Sequence, residues 1–388
     1  MQVDLLVAGG GCVGWLLAGL AARQGVRVAL VAPEPLETPL AVDLPPLARV
    51  IALAPDIEQA LLQAGVPSEP WQRRGCPVTQ MHVSVPGQGQ VRFGQTHDAA
   101  PLARIVEVAA LQQAIQQWAV STGVRHLPER VGTRHASGVE LDSGVRITAP
   151  LVAACDGSGS PLRRQMGISV AVRDYEQTAI VSRLRFADAP RGEARQTMRA
   201  DSVLGVLPLV DGTLSAVWSL ANSQAQYWRD ESDAAFADGL NLALEAPWGA
   251  AELLGARQSF PLRGVFARSL HAHGLCLLGD AAHTVHPLAG LGLNLGLADA
   301  LTLERTLART RQSRRPLNDP ALLDRWSRER TAQVQPYRLF IDALAGLGHQ
   351  HSVAWRAIGQ GFAVVDRWSA LRQFFEIQAR RGSLPAAA

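Results

Sequence analysis

The sequence predicts an α/β fold of the α+β kind, in which a nucleotide-type domain is interrupted by an antiparallel sheet and followed by helices. Three observations predict it. The apolar residues 3–8 lead into the hexapeptide GGGCVG at residues 9–14 and then into a helical stretch at residues 15–23. Two later apolar runs, at residues 151–155 and 275–278, each end beside an aspartate and a glycine. Between these apolar runs lie segments in which apolar and polar residues alternate, as in half-buried strands.

The first unit has the order strand, GGGCVG, helix and strand, which is typical of a Rossmann-like dinucleotide-binding domain. Gly9 would make the tight turn, and Gly11 would let the backbone approach a pyrophosphate at the helix N-terminus. Gly14 would let the helix pack closely on the strand. A single GxGxxG is a weak signal, but this one follows a strand and opens a helix, so we interpret it as a nucleotide site.

One part of that pattern is absent. The second strand, at residues 26–31, should be followed by an acid for the ribose hydroxyls, but Ala32 occupies the position. Either Glu34 reaches back to the ribose or the ribose is held in another way. The stiffness of Pro33 favours the second alternative.

Two more strand ends predict carboxylates at the same edge of the sheet. Asp280 follows the apolar run at 275–278, and a helix is expected to begin near residues 292–294, so a hydroxyl and an anion can be held together there. Asp156 and Gly157 follow the run at 151–155, with Ser160 as the expected N-cap of the next helix.

The remaining periodicities complete the predicted order of elements. Helices are predicted at 50–64, 105–120, 230–244, 303–311, 320–338 and 360–380, hairpins at 81–93 and 139–147, and strands at 179–186, 202–209 and 213–220. We therefore predict a discontinuous first domain (1–75, 97–170 and 264–330), an inserted substrate-binding sheet domain (76–96 and 171–263) and C-terminal helices (331–388).

Composition excludes several classes of protein. The chain has 388 residues, a net charge of +3 and 37 basic residues, all of them arginine, which are scattered and do not indicate nucleic-acid binding. The four cysteines lie far apart and predict buried thiols in a reducing compartment, without a metal site. No signal peptide or membrane span is predicted, so we expect a cytoplasmic protein. The C-terminal stripe of Val364, Trp368, Leu371 and Phe375 is typical of core or a subunit contact, with peripheral attachment to the inner face of the membrane as the alternative.

Three motifs, GGGCVG, CDGSGSPLR and GDAAHTVHPLAGLGLNLG, stand in that order along the chain. Together they resemble the class A flavin monooxygenases, whose fold is that of para-hydroxybenzoate hydroxylase. Within that group the phrases RVIALAP, FPLR and HPLAGLGLNLGLADA resemble the ubiquinone-biosynthesis hydroxylase family. The resemblance covers nearly the whole chain, and the late motif is its most specific part.

The resemblance implies FAD as cofactor and NAD(P)H as external reductant. Its cofactor-binding positions are Gly9, Gly11 and Gly14 at the pyrophosphate, Asp280 at the ribityl chain or phosphates, Asp156 and Gly157 at FAD and NAD(P)H, Arg49 and Gln112 at the flavin, and Pro287, Gly290, Gly292, Leu293 and Asn294 along the ring. His286 and Leu291 would belong to the substrate pocket. Leu291 stands where the family usually has glutamine, which makes that pocket more apolar.

The implied reaction is hydroxylation of a prenylated phenol in ubiquinone biosynthesis, in which a flavin hydroperoxide transfers one oxygen to the ring. His283 and His286 are candidate bases near the flavin, although each is more often structural, and no catalytic residue is assigned. The implied partners are a hydrophobic aromatic substrate and other quinone-biosynthesis proteins.

Three alternatives remain open at the level of the sequence. A hydroxylase of a soluble phenol, aromatic acid or pigment precursor would need a cation in the inserted sheet, for which Arg183, Arg185 and Arg199 are candidates. A related flavin reductase acting on prenyl chains would incorporate no oxygen. A non-catalytic FAD-binding subunit of a quinone-biosynthesis complex would account for the departures at Ala32 and Leu291.

Overall fold

The computed structural model describes residues 1–36, 44–94, 100–286, 290, 292–346 and 352–367. Its helices are α1 Cys12–Arg23, α2 Pro55–Gln63, α3 Glu69–Arg73, α4 Val108–Ser121, α5 Pro161–Gln165, α6 Asn222–Asp230, α7 Asp233–Leu244, α8 Gly292–Gln312, α9 Pro320–Gly346 and α10 Ser352–Arg367. Its strands are β1 Leu5–Ala8, β2 Val28–Val31, β3 Val50–Leu53, β4 Cys76–Val78, β5 Gln80–Val85, β6 Gly89–Phe93, β7 Ala103–Glu107, β8 Arg125–Leu127, β9 Val131–His135, β10 Gly138–Leu141, β11 Arg146–Thr148, β12 Leu151–Ala154, β13 Val170–Arg185, β14 Glu193–Met198, β15 Ser202–Pro208, β16 Leu214–Ala221, β17 Glu252–Leu253, β18 Gln258–Ala267, β19 His271–Ala272, β20 Leu275–Leu277 and β21 His283–Thr284.

A six-stranded sheet in the order β19-β20-β12-β1-β2-β8 forms the centre of the first domain. Its pairings are parallel from β20 through β8, and only β19 runs antiparallel to its neighbour. β1, β2, β12 and β20 consist of apolar residues that are fully buried, because helices and loops cover both faces of a parallel sheet. The parallel sheet that the sequence predicts for a Rossmann-like unit is confirmed.

A second, nine-stranded sheet has the order β21-β18-β13-β16-β15-β14-β5-β6, with β17 paired to β13. Its pairings are antiparallel, except that β14 and β5 run parallel. One face of this sheet packs against α6 and α7. On that face, Ile180 and Leu184 of β13 and Trp218 of β16 form an apolar cluster with Phe236 of α7. The other face is turned toward the first domain, and we call it the inner face.

Two helix predictions were too long at their N-terminal ends. Residues 50–53 form β3 and residues 103–107 form β7, and these strands pair antiparallel in a small sheet with β4. Strand pairing overrides the helical periodicity here, and the helix starts only at Pro55, whose fixed φ suits a first helical position. Cys76–Val78 joins this small sheet, although the predicted boundary assigned it to the inserted sheet.

The C-terminal helices pack on both domains. α9 spans the boundary predicted at residue 330, and Val334 packs with Phe266 and Leu295. α10 packs on the β5–β6 hairpin, where Ile358 and Phe362 contact the apolar residues of the inner face. Of the predicted C-terminal stripe, Trp368, Leu371 and Phe375 lie outside the described residues. In the part of the chain that the structure describes, no helix is long and apolar enough to cross a bilayer.

Candidate flavin and substrate site

The three motifs converge at one edge of the parallel sheet. Ala8 is in register with Ala154, and Ala154 with Leu277, so β1, β12 and β20 end side by side. The carboxyl ends of parallel strands point the same way, which brings the glycine turn, Asp156 and Asp280 to one crevice. The structure thus assembles the three predicted stretches, although Gly10 and Asp280 are 270 residues apart in sequence.

Each glycine of the turn has a distinct steric reason. Gly9 has φ +118°, and a Cβ there would lie 2.1 Å from the carbonyl oxygen of Cys155. A Cβ on Gly14 would lie 2.1 Å from the carbonyl oxygen of Gly9, so α1 and β1 touch through backbone. At Gly11 a Cβ would meet no atom within 4 Å. The space in front of α1 is therefore open.

The N-terminus of α1 is suited to bind an anion. Gly11 is its N-cap, no side chain caps the helix, and its first turn holds no acid. The first N–H groups of a helix lack intrahelical partners and carry a partial positive charge. An open, uncapped helix start behind a glycine turn fits the pyrophosphate of FAD. Gln112 of α4 lies beside this turn, with its Oε1 4.0 Å from Cys12 Sγ.

Asp280 lies in the short 3-10 turn Gly279–Ala281 at the end of β20. Its side chain reaches solvent within a recess whose walls raise the pKa of the carboxyl by desolvation, while the charges of His283 and Arg49 oppose the rise. Arg49, which is itself exposed, thus lies near enough to Asp280 to interact with it. A carboxylate of this kind can accept hydrogen bonds from ribityl hydroxyls.

Asp156 is held from one side and open on the other. Its Oδ2 accepts a hydrogen bond from the Leu162 N–H at 3.2 Å, while Oδ1 has no partner in the described part of the chain. Burial raises the pKa of this carboxyl, and hydrogen bonds from Ser160 and the Leu162 N–H oppose that rise. Gly157 follows with φ +84°. As predicted, Ser160 caps α5 through the N–H of Arg163.

Arg163 joins the two aspartate loops. Its buried guanidinium donates to the carbonyls of Ser158 and Ala281, both at 2.7 Å. Ser158 follows Asp156, and Ala281 follows Asp280, so one side chain fixes the spacing between the two carboxylates.

Asn294 ties the start of α8 to the β3–α2 junction. Its amide donates to the carbonyls of Ala52 (2.8 Å) and Gly290 (3.2 Å), and its Oδ1 accepts from the N–H of Ala54 (2.9 Å). The side chain that was predicted to bind FAD is thus fully used by the protein, and only its backbone N–H is left for a ligand.

The rest of the ring loop is partly described. Gly290 has φ +60°, Gly292 begins α8, and Leu293 is half-buried beside the main core. Pro287 and Leu291 lie outside the described residues. A Cβ on Gly296 of α8 would lie 2.7 Å from Val13 Cγ2 and 3.1 Å from Gly279 Cα, so the first turns of α8 lie beside α1 and the Gly279–Ala281 turn.

The comparisons with known proteins agree with this geometry. The FAD binding domain family matches residues 101–337, which is more than half of the chain. Ubiquinone hydroxylase UbiL of Rhodospirillum rubrum is 30% identical, with 96% of this chain and 88% of that protein aligned. Ubiquinone biosynthesis monooxygenase COQ6 of Drosophila melanogaster is 27% identical over 88% of this chain and 82% of that protein. The chain belongs to the FAD-binding monooxygenase family that contains the ubiquinone hydroxylases.

Solved structures show the same fold. Para-nitrophenol 4-monooxygenase PnpA of Pseudomonas putida superimposes with a TM-score of 0.79 at 16% identity, and 100% of each chain is covered. The predicted family, FAD cofactor and hydroxylase class are confirmed, and NAD(P)H is the reductant typical of the family.

Sequence reasoning missed a buried ionic network in this hydroxylase. The carboxylate of Asp299 on α8 lies 2.8 Å from Nε2 of His283 and 2.8 Å from Nε of Arg330 on α9, and all three side chains are at least 97% buried. Asp299 also accepts the N–H of Gly279 at 2.9 Å. Burial alone would raise the pKa of Asp299, but the charges of His283 and Arg330 hold it below its usual range. His283 is thus a structural partner of Asp299.

His286 is a neutral, buried side chain on the ring loop. Its Nε2 lies 3.0 Å from Oε1 of Gln177 on the inner face, and because that oxygen only accepts, Nε2 is the donor. The ring of Tyr175 meets it edge-on at 5.0 Å. Burial lowers the pKa of His286 to about 4, so the ring carries no charge near neutral pH. This pair joins the flavin domain of the hydroxylase to its sheet.

The adenosine end of the site differs from the sequence-based expectation. Glu34 does reach back past Pro33, because its Oε2 lies 3.6 Å from the position of a Cβ on Gly10, within the glycine turn. The carboxylate is exposed there. Glu34 can therefore replace the acid that is missing at Ala32.

Glu34→Gln is expected to weaken FAD binding about tenfold, since a hydrogen bond to a charged group contributes about 1.5 kcal/mol. FMN, which lacks the adenosine half, should bind the variant and the parent equally. Titration of apo-hydroxylase with both flavins, followed by fluorescence, measures this, with the exposed Glu69→Gln as matched control. Equal losses for FAD and FMN would show that Glu34 does not act at the adenosine.

Proposed function

We propose that this protein hydroxylates the aromatic ring of a prenylated phenol on the route to ubiquinone. The observation that supports it best is a stretch of the inner face of the sheet that is incompletely covered. Val203, Gly205 and Val217 occupy neighbouring inner positions on β15 and β16, and all three are half-buried. A Cβ on Gly205 would have no neighbour closer than 4.0 Å. This leaves room for an apolar ligand in front of the sheet.

The walls around this face are apolar as well. Val203 packs against the apolar cluster that includes Val285 and Leu295 of the flavin side. It also packs against the cluster of Val83, Val85, Val91 and Met198, which the α10 residues Ile358 and Phe362 contact as well. Such walls would exclude water from the site at which bound FAD would supply oxygen-transfer chemistry. The neutral ring of His286, which binds Gln177 of the inner face, adds one polar but uncharged group to these walls. A phenol with an apolar tail suits this setting.

The arginines of the inserted sheet do not favour an anionic aromatic acid as the substrate. Arg185 pairs with Glu252, and Arg199 binds Glu245 and the carbonyl of Leu242. Arg183 is on the inner face, but it donates to the carbonyl of Pro46 at 2.9 Å. Arg185 and Arg199 are therefore engaged with carboxylates and Arg183 with a carbonyl, although the buried Nε of Arg183 has no partner among the described residues.

The assay uses the purified FAD-loaded protein, NAD(P)H and ¹⁸O₂ with a short-chain prenylated phenol. We expect phenol-dependent NAD(P)H oxidation and a product that carries one ¹⁸O, measured by mass spectrometry. Asp280→Ala, which removes the ribityl carboxylate, should be inactive in parallel. A reduced prenyl chain without ¹⁸O would indicate the reductase instead, and activity restricted to soluble phenols would indicate the other hydroxylase class.

Peripheral membrane contact and other quinone-biosynthesis proteins as partners belong to the same proposal. A phenol with a long apolar tail resides in a bilayer, so the enzyme would collect it at the inner surface of the membrane. The names of the ubiquinone-pathway relatives support the hydrophobic quinone-precursor substrate on which this part of the proposal depends.

A further inference from the structure

A short segment, residues 44–49, runs between the flavin domain and the inserted sheet; we call it the strap. It ends at Arg49, whose charge acts on Asp280. Every one of its six residues makes a backbone hydrogen bond to a residue outside the strap. Connecting segments are ordinarily held less completely than this.

The flavin-domain side holds the strap through a buried ion pair. The side chains of Arg74 and Glu107 are 5% and 1% exposed, and their two parallel contacts measure 2.8 and 3.1 Å. Both groups also bind the strap, since Glu107 accepts the N–H of Leu47 at 2.9 Å and Arg74 donates to the carbonyl of Leu44 at 3.1 Å. A buried ion pair contributes little net stability, because the cost of desolvating both charges offsets their attraction. Its role is therefore better explained by the geometry that it imposes on the strap.

The sheet side holds the strap through two inner-face residues. Arg183 donates to the carbonyl of Pro46 at 2.9 Å, and the hydroxyl of Ser215 donates to that of Ala48 at 2.6 Å. The register of β13 and β16 places Arg183 opposite Ser215, next to the half-buried Val217. The strap therefore contacts the inner face beside the place proposed for the substrate.

We propose that the strap is a positioning segment, in which Arg74 and Glu107 on one domain and Arg183 and Ser215 on the other set Arg49 against the flavin. The flavin environment is thereby coupled to the inserted sheet. This rests on the proposed contact between Arg49 and the flavin, and it does not depend on which phenol is hydroxylated.

The experiment is a double-mutant cycle read by FAD binding. Ser215→Ala removes one strap hydrogen bond without creating a buried charge, and Glu107→Gln breaks the ion pair while keeping its shape. Each is made in the parent and in Arg49→Ala. The FAD dissociation constant and the visible flavin spectrum are measured for each protein, with its melting temperature as a check of folding. Arg185→Gln, which breaks an exposed pair away from the strap, is the matched control.

We expect Arg49→Ala to raise the dissociation constant about tenfold and Ser215→Ala about threefold, with a shifted flavin spectrum in both. In the Arg49→Ala background, Ser215→Ala and Glu107→Gln should add nothing, because they act through Arg49. Effects of equal size in both backgrounds would overturn the proposal, as would an Arg49→Ala protein with unchanged FAD affinity and spectrum. If Glu107→Gln fails to fold, Ser215→Ala alone decides the outcome. Failure of the ¹⁸O₂ assay would leave this result unaffected.

Discussion

Gly11→Val is expected to leave the apo-protein folded and to raise the FAD dissociation constant on the order of 100-fold or more, about 2.7 kcal/mol of binding free energy. Gly11 has φ −77° and ψ 176°, which valine adopts readily, and its Cβ position is open. The new side chain would therefore fill the space in front of α1 without touching protein. Flavin absorbance of the purified protein and a FAD titration measure the loss.

Gly14→Ala, three residues on, should behave differently. Its Cβ would lie 2.1 Å from a backbone oxygen, so the melting temperature of the apo-protein should fall together with FAD binding. Gly361→Val, at an open position of α10, serves as the neutral control. A Gly11→Val protein that remains as yellow as the parent would place the pyrophosphate elsewhere.

Asp299→Ala is expected to have the largest effect on stability, about 3–5 kcal/mol, because it removes the buried carboxylate that pairs with the fully buried Arg330. It also leaves the N–H of Gly279 without its acceptor and removes one partner of His283. The melting temperature should drop on the order of 10 °C in the absence of flavin.

The control for Asp299→Ala is the exposed ion pair between Asp4 and Arg27, whose separation is 2.6 Å. Asp4→Ala should cost less than about 1 kcal/mol because solvent screens that pair. If the two variants melt within a degree or two of each other, the network around Asp299 is not a stabilising centre.

The parts that could be predicted from the sequence are those whose signal is local. The glycine turn, the hairpin at residues 81–93 and the cap at Ser160 each depend on residues a few positions apart. The two strand-end aspartates could be placed at one edge because parallel strands end together. These local rules are enough to predict that the three motifs meet at the carboxyl edge of the parallel sheet.

What the sequence could not predict depends on distant partners. Asp299 and Arg330 lie on different helices, and their pairing leaves no periodic trace. Residues 50–53 have helical spacing but form a strand, because β7 offers a partner about 50 residues later. Arg74 and Glu107 are 33 residues apart, and no local pattern in the sequence indicates that they pair. Glu34 was judged from the stiffness of Pro33 alone, whereas the path of the chain brings its carboxylate to the turn.

Strands of the two sheets alternate along the chain, so the order in which the polypeptide is synthesised limits when each sheet can form. β1 acquires its neighbour β12 only after the hairpin β5–β6 has been made, and that hairpin waits for β14, with which it pairs in parallel. α1 packs against α8, the element that follows the last strand of the site. Long-range parallel pairing is slow and leaves apolar strands exposed meanwhile. Flavin uptake is therefore a late event, and most of the polypeptide must have left the ribosome before a crevice exists to receive it.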